Sequence, residues 1–417
     1  MKRSKMKITI LAWRNLWRRK RRTYITAFSI GFGVMLAVTF TGTGDYAYTN
    51  MINAGADMGM GHVTVQPAGY NQTPSLDKRI KHSDQVQSTI QQLPGINKTL
   101  TRIMGQAIFA SARKSIGGAF IAIDPNNEDA ENNLFIRSIV EGELFKSTSD
   151  RGVVIGNKLA EKLGLRIGKK LVYTTTDANG EIVSEIARVA AIFKTGVSEI
   201  DGGMVLLPID SVRQTLNYAK DEATLVAVTL KDHREIDNYR QTILNKVGNT
   251  TNEVLDWKKT QPELASLIAM DRSSNYVSQI LVGLLIAAGI LNTLLMSVME
   301  RKKEFGVMMA IGMAPFTLFK LVITESFWLA IVGLLLGMLI TTPWYLYLYH
   351  YGIDFSGAMG DDYSAGGVLI DPVMHIWLYT ESIIAILSGV FLLTLLSGIY
   401  PAWRATRTPP VESLKTL

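Results

Sequence analysis

No cysteine occurs anywhere in the 417 residues. That absence excludes disulfide scaffolds, thiol nucleophiles and thiolate metal sites, and it suits a chain that passes through an oxidising compartment. Charge is also scarce. Asp, Glu, Lys and Arg make up 19% of the chain, against ~25% in an average soluble protein, while 47% is hydrophobic, so part of the length belongs in lipid. The five histidines, His62, His82, His233, His350 and His375, form neither an HExxH motif nor an i, i+4 pair, and no metal is expected. "GLRIGKK" (Gly164 to Lys170) is one residue short of a phosphate-binding loop and lacks the following Ser or Thr, so it reads as a turn. "SIGFG" and "GADMGMG" have no strand-turn-helix setting for a dinucleotide and read as helix packing or an interface loop. With no Ser/His/Asp constellation either, the chain is read as non-catalytic and without a cofactor of its own.

What the sequence does have is four long apolar runs. Tyr24 to Gly44 and Tyr276 to Met299 contain no Asp, Glu, Lys or Arg, and each meets the ~20 residues a spanning helix needs. Leu321 to Tyr349 and Ile376 to Trp403 each carry one acid near the start, Glu325 and Glu381, which reads as snorkelling or capping at an interface, with a polar contact between helices as the alternative. The first run exceeds the apolar core of a signal peptide and reads as a retained anchor. Basic residues then set the orientation. Positions 1–23 hold ten Lys or Arg and no acid, whereas positions 350–375 hold four Asp and no Lys or Arg, so both termini are expected in the cytoplasm. In "ILAWRNLWRRKRRTY", Ile10, Trp13, Leu16 and Trp17 recur at helical spacing with arginines on the other faces, as an interfacial helix on anionic lipid requires. The net charge of +7 is therefore assigned to the membrane surface and not to nucleic acid.

Between the first two runs, Asp45 to Asn275 alternates strand-like and helix-like stretches. "GHVTVQP" alternates as a half-buried strand, and "VVIGNKLAEKLGL" passes from a strand into a helix with Leu159, Leu163 and Leu165 inward. Asn179-Gly180 marks a hairpin turn near Asp177, "MVLLPI" and "TLVAVTL" supply further strands, and "DSVRQTLNYAK" lies between them as a helix. The predicted fold is a polytopic α-helical membrane protein with four transmembrane helices and a large α+β periplasmic domain, in two subdomains, between helices 1 and 2. Its divisions are an interfacial helix at 1–23, spans at 24–44, 276–299, 321–349 and 376–403, the periplasmic domain at 45–275, a cytoplasmic helix at 300–320, a periplasmic loop at 350–375 and a tail at 404–417.

"ERKKEFGVMMAIG" (Glu300 to Gly312) therefore falls on the cytoplasmic side between spans. Its charged start offers polar contacts to a soluble partner, and Phe305, Met308 and Met309 offer an adaptable apolar surface; an ordinary juxtamembrane helix is the alternative. Gly333 and Gly337, Ser29 and Gly33, and Gly283 and Ala287 have small-xxx-small spacing, which points to a self-associated or paired permease.

The whole chain resembles an ABC-transporter permease of the FtsX/MacB type. The resemblance rests on "LAWRNLWRRKRRTYITAFSIGFGVML", "MERKKEFGVMMAIGMAPFTLFKLVITES" and the C-terminal "YPAWRATRTPPVESLKTL". It implies a mechanotransmission transporter of type VII, in which ATP and Mg are held by a separate LolD-like ATPase subunit. The ATPase-coupling residues would be Glu300, Arg301, Glu304, Phe305, Gly306, Met309, Ala310 and Gly312. Within the family, "VVIGNKLAEKLGLRIGKKL" and "FKTGVSEIDGGMVLLPIDSVRQTL" are most similar to lipoprotein-releasing permeases. That implies lipoprotein extraction from the outer leaflet of the inner membrane by a pair of permeases, two copies of this chain or this chain with a homologue. The cavity walls would be Phe32, Met35, Leu36 and Phe40 of span one and Ile280, Leu284 and Leu291 of span two. A periplasmic carrier would dock on the hairpin at Asp177, Asn179 and Gly180, although this hairpin is short and lacks the family's prolines. Two other functions fit the family: an adaptor-linked exporter of peptides or small amphiphiles of the MacB kind, and an FtsX-like signal transmitter without transport.

Overall fold

The computed structural model describes residues 2–248, 251–359, 364–365, 368–369 and 371–407. The chain divides into two compact units. The first takes the chain up to Tyr46, then Met270–Asp354 and everything from Val373; the second takes Ala47–Ala269 and Phe355–Pro372. The last part of the C-terminal signature, from residue 408, and stretches of the 350–375 loop lie outside the described residues.

The first unit is built of helices α1 (Lys2–Arg18), α2 (Lys20–Gly55), α3 (Pro262–Glu300), α4 (Lys302–Ala310), α5 (Pro315–His350) and α6 (Thr380–Thr406). Of these, α2, α3, α5 and α6 are long and apolar enough to cross a membrane. Three helices outrun their apolar cores, α2 continuing past Gly44 and α3 starting well before Tyr276, whereas α6 begins at Thr380, four residues inside the run from Ile376. Hydrogen bonding within a helix does not stop where lipid does, so an apolar run marks the immersed part of a span and not its ends.

Close approach of α2 and α5 is made by glycine. A Cβ on Gly31 would lie 3.0 Å from the backbone nitrogen of Gly337, and one on Gly333 would lie 2.7 Å from Ile30. The Gly333/Gly337 pattern is thus occupied within the chain, by Ile30, Gly31 and Val34 of α2. This corrects its reading as a surface for a second permease, because backbone atoms of another helix already fill the groove. Across α2, Gly33 faces Ile286 of α3, and Ile30, Ile290, Leu294 and Leu329 join α2, α3 and α5 in one buried cluster.

The second unit is an α+β domain in which ten strands between Val63 and Asp256 form one sheet. They are β1 (Val63–Pro67), β2 (Ile96–Ala110), β3 (Ser115–Ile123), β4 (Ile139–Gly142), β5 (Gly152–Gly156), β6 (Lys170–Thr176), β7 (Ile182–Phe193), β8 (Met204–Pro208), β9 (Leu225–Leu230) and β10 (Asn252–Asp256). Their order is β10-β1-β9-β2-β3-β8-β5-β7-β4, with β6 pairing β2 and β7. The long β2 joins two halves. Residues Ile96–Arg102 pair with β9, and Ile103–Ala110 pair with β3. One core lies on the β9 side around Val63, Val228, Ile243 and Trp257, and another on the β3 side around Phe109, Phe120, Leu159 and Leu207. The two-subdomain expectation matches this division, and so do β5 with its helix Asn157–Leu163, where Leu159, Leu163 and Leu165 are buried. β1 departs from its sequence pattern. All five of its residues are buried, including Thr64 and Gln66, because β9 and β10 flank it on both edges and Gln66 donates to Glu253 on β10.

One buried histidine of this domain has both ring nitrogens engaged. His62 Nδ1 accepts from the backbone N–H of Leu230 at 3.0 Å, which leaves Nε2 protonated to donate to Asn53 Oδ1 at 3.0 Å. Burial, with His233 adding to it, lowers its pKa to about 4, so the ring is neutral at neutral pH.

Candidate functional site

The first unit concentrates its charge where α1, the α3–α4 joint and the start of α5 converge. Arg301, the residue between α3 and α4, is buried and sends Nη1 to both carboxylate oxygens of Glu325 on α5, at 2.8 and 3.0 Å. Asn15 of α1 donates to the same carboxylate at 2.8 Å. Arg301 Nε reaches Glu304 on α4 at 3.3 Å, and its guanidinium carbon sits 4.8 Å over the Phe305 ring. Further out, Arg18 bonds Glu304 at 3.1 Å, and Arg19 and Arg22 pair with Glu300, the latter at 3.0 Å. Glu325 therefore makes a contact between helices, the alternative reading, in place of snorkelling or capping. A carboxylate this deep needs a cation within reach, and the chain supplies one from 24 residues away.

Glu304 ties α4 to α1 through Arg18 and, by way of Arg301, to Glu325 on α5, so displacement of α4 is resisted by both neighbours. A connected set of charge-assisted bonds of this kind transmits a push better than an apolar contact, which can slide. The aromatic side chains of Trp13, Trp17, Tyr24 and Trp328 follow one another at ring separations of 4.9 to 5.7 Å beside this cluster, as at a membrane–water interface. Ile10, Leu11 and Trp13 are exposed on α1, in keeping with an interfacial helix.

The coupling residues divide sharply by exposure. Phe305 is fully buried and Gly306 buried, in a core with Ala12 of α1 and Leu318 and Val322 of α5. Phe305 is expected to face a partner; it faces inward, with Arg301 over its ring and Ala12, Val298, Leu318 and Ala402 in the same buried cluster. Met309 is partly buried, Ala310 and Gly312 are exposed, and Gly312 adopts φ +99°, which ends the helix. The apolar residues that α4 and its C-terminal turn present outward are Val307, 45% exposed, and Ile311, 81% exposed. Sequence spacing could have found them, since Lys303, Val307, Ala310 and Ile311 lie on one helical face. Asn15, Arg18 and Arg22 carry no such signal, because their partners are remote in sequence.

Of the expected cavity residues, Phe32, Phe40, Ile280 and Leu284 are exposed, at 40 to 63%, while Met35, Leu36 and Leu291 are partly buried. The two helices meet alongside: Asn275 donates to the Phe40 carbonyl at 3.1 Å and Gln279 to Thr41 at 3.2 Å. In the domain, β6 and β7 form the hairpin, with Asp177, Asn179 and Gly180 in its turn. Asp177 is turned inward. Its carboxylate accepts from the backbone N–H groups of Glu181 and Asn179 and from Asn217, which hold it below the usual carboxylate range, the Glu181 bond most. Among the side chains that the hairpin exposes are two large apolar ones, Ile182, 79% exposed, and Ile186, 50% exposed, near the exposed Ile108. Among the described residues no group of His, Asp or Glu is arranged to hold a metal ion.

Four candidate spans, a buried charge cluster among their helices and a large mixed domain inserted after the first span define a multi-pass membrane protein with one large domain outside its spans. Residues 23–246, more than half of the chain, match the MacB-like periplasmic core domain, and residues 276–410 match the FtsX-like permease C-terminal region. The chain belongs to the FtsX/MacB family of ABC-transporter permeases. Among its relatives, the lipoprotein-releasing system transmembrane protein LolC of Xylella fastidiosa is 22% identical, over 70% of this chain and 71% of the relative. An ABC transporter permease of Methanocaldococcus jannaschii is 23% identical over 98% of this chain and 97% of its own length. The pyoverdine export ATP-binding/permease protein PvdT of Pseudomonas fluorescens is 23% identical over 97% of this chain, which spans 58% of that relative.

Proposed function

We propose that this chain is the permease subunit of an ATP-driven transporter that extracts lipoproteins from the outer leaflet of the inner membrane and releases them to a periplasmic carrier. In this reading both termini and α4 are cytoplasmic, the α+β domain is periplasmic, and two permeases, copies or homologues, act with a separate ATPase. The observation that carries it is the exposed apolar wall of Phe32, Phe40, Ile280 and Leu284 in a permease whose coupling helix is bonded to its neighbours. An acyl chain costs ~0.8 kcal/mol per CH₂ withdrawn from lipid, so a multiply acylated protein leaves only with coupled work. Closure of ATPases against Val307 and Ile311 would move α4, and the Arg301 and Glu304 bonds would pass that movement to α5 and α1. The LolC relative supports lipoprotein as cargo. A carrier would meet Ile182 and Ile186, since the Asp177 carboxylate is engaged within the turn.

A second reading, export of a small amphiphile through an adaptor, draws on the PvdT relative, which matches nearly the whole chain. The experiment that separates them purifies the chain with its neighbouring ATPase in lipid nanodiscs. Bound lipoprotein, and ATP turnover stimulated by triacylated lipoprotein, support extraction. Indifference to lipoprotein, with stimulation by an adaptor protein, supports export.

A further inference from the structure

The charge cluster encloses a cavity of about 210 Å³ between α1, α2, α3, the α3–α4 joint and α5. Arg18, Arg19, Arg22 and Arg301 line it. The carboxylates that face these four guanidinium groups from every packed helix are three, Glu300, Glu304 and Glu325, so one positive charge is left over. One donor is also left over. Arg301 is nine-tenths buried, its Nη2 is buried and has no hydrogen-bond partner, and the side chain lines this cavity. A buried guanidinium nitrogen without an acceptor costs more than an ordinary unmade bond, so the Arg301 pair is left unsatisfied next to a cavity that the same side chain lines. Ser297 and Thr26 add hydroxyls to the lining.

The geometry points to a phosphate-binding site here, made for the monoanionic phosphodiester of a phospholipid headgroup in the leaflet at this end of the spans. One negative charge balances the surplus, a tetrahedral oxyanion offers acceptors to the lining guanidinium groups and to Arg301 Nη2 after a small turn of that side chain, and arginine is the side chain that holds phosphate with directed bonds. The aromatic side chains of Trp17 and Tyr24 beside it favour a lipid over free phosphate, since such rings lie at headgroup depth. A lipid seated there would touch α1, α3 and the joint of α4 together, so its presence would tune how firmly α4 is held.

The test uses the full chain in nanodiscs of phosphatidylcholine doped with phosphatidylglycerol, followed by native mass spectrometry of the lipids retained. Wild type is expected to retain one phosphatidylglycerol, and Ser297→Leu, which fills the cavity and leaves every ion pair in place, to bind it about tenfold more weakly. Arg18→Gln, on the exposed rim, provides a second variant and is expected to weaken retention in the same direction. A parallel arm titrates inorganic phosphate into delipidated protein: thermal stabilisation lost in Ser297→Leu, without preferential lipid retention, would keep the anion site and assign it to free phosphate. Equal lipid retention by wild type and both variants, with no response to phosphate, would overturn the proposal.

Discussion

Two buried arginine–glutamate pairs, one in each unit, are finished differently. In the domain, Arg102 donates through Nε, at 2.9 Å, and Nη2 to Glu128, whose carboxylate also accepts from Asn133 at 2.7 Å, and both charged side chains are about 1% exposed. Asn133 then caps the helix Leu134–Arg137 through the N–H groups of Phe135 and Ile136. Arg102 stands on β2 where pairing passes from β9 to β3, so the closed network fixes the join of the two halves. Arg301 and Glu325 are nearly as buried, yet that pair keeps an unpartnered nitrogen and a cavity beside it. A closed pair holds one geometry, whereas an open one leaves room for a ligand or a shift.

Removing one partner from each pair breaks the comparison most directly. Arg102→Met leaves Glu128 buried and uncompensated and is expected to cost about 3–5 kcal/mol, read as lost hydrogen-exchange protection along β2 and β9 in the full chain, with Arg102→Met/Glu128→Leu recovering most of it. Acid probes the closed domain a second way. The pKa of His62 is depressed to about 4 from an unfolded value near 6.5, so its contribution is complete above pH ~6.5 and is lost as pH falls toward ~4. The loss is expected to reach about 3 kcal/mol, measured by exchange of the Leu230 amide across that range, and His62→Gln should flatten it. Arg301→Met should cost less, about 1–3 kcal/mol, because Glu325 keeps the Asn15 bond. Its larger effect falls on coupling: stimulated ATP turnover should drop while the permease stays folded in the membrane.

These contrasts also mark what was legible in the sequence. The four spans, the two-part α+β domain, the β5–helix unit and the Asp177 hairpin follow from local patterns, runs of apolar residues, alternation and Asn-Gly, and the structure has them. Partnership was not legible. Glu325 inside an apolar run signals a cost but not that Arg301 and Asn15 meet it, since those contacts span 24 and 310 residues. Gly333 and Gly337 signal a close neighbour without saying that it is α2 of the same chain. Phe305 has the composition of a docking residue, and only the packing of Ala12 and Leu318 around it shows that Val307 and Ile311 are the exposed pair.

The most direct measurement of the account is ATP turnover by the chain and its ATPase in nanodiscs, with triacylated lipoprotein added, for wild type, Val307→Glu and Ile311→Glu. Both substitutions change exposed side chains and leave the Arg301 and Glu304 bonds in place. Lipoprotein-stimulated turnover in wild type, lost in both variants without loss of membrane-inserted protein, is the predicted result; wild-type turnover indifferent to lipoprotein, or stimulation undiminished in both variants, would contradict it.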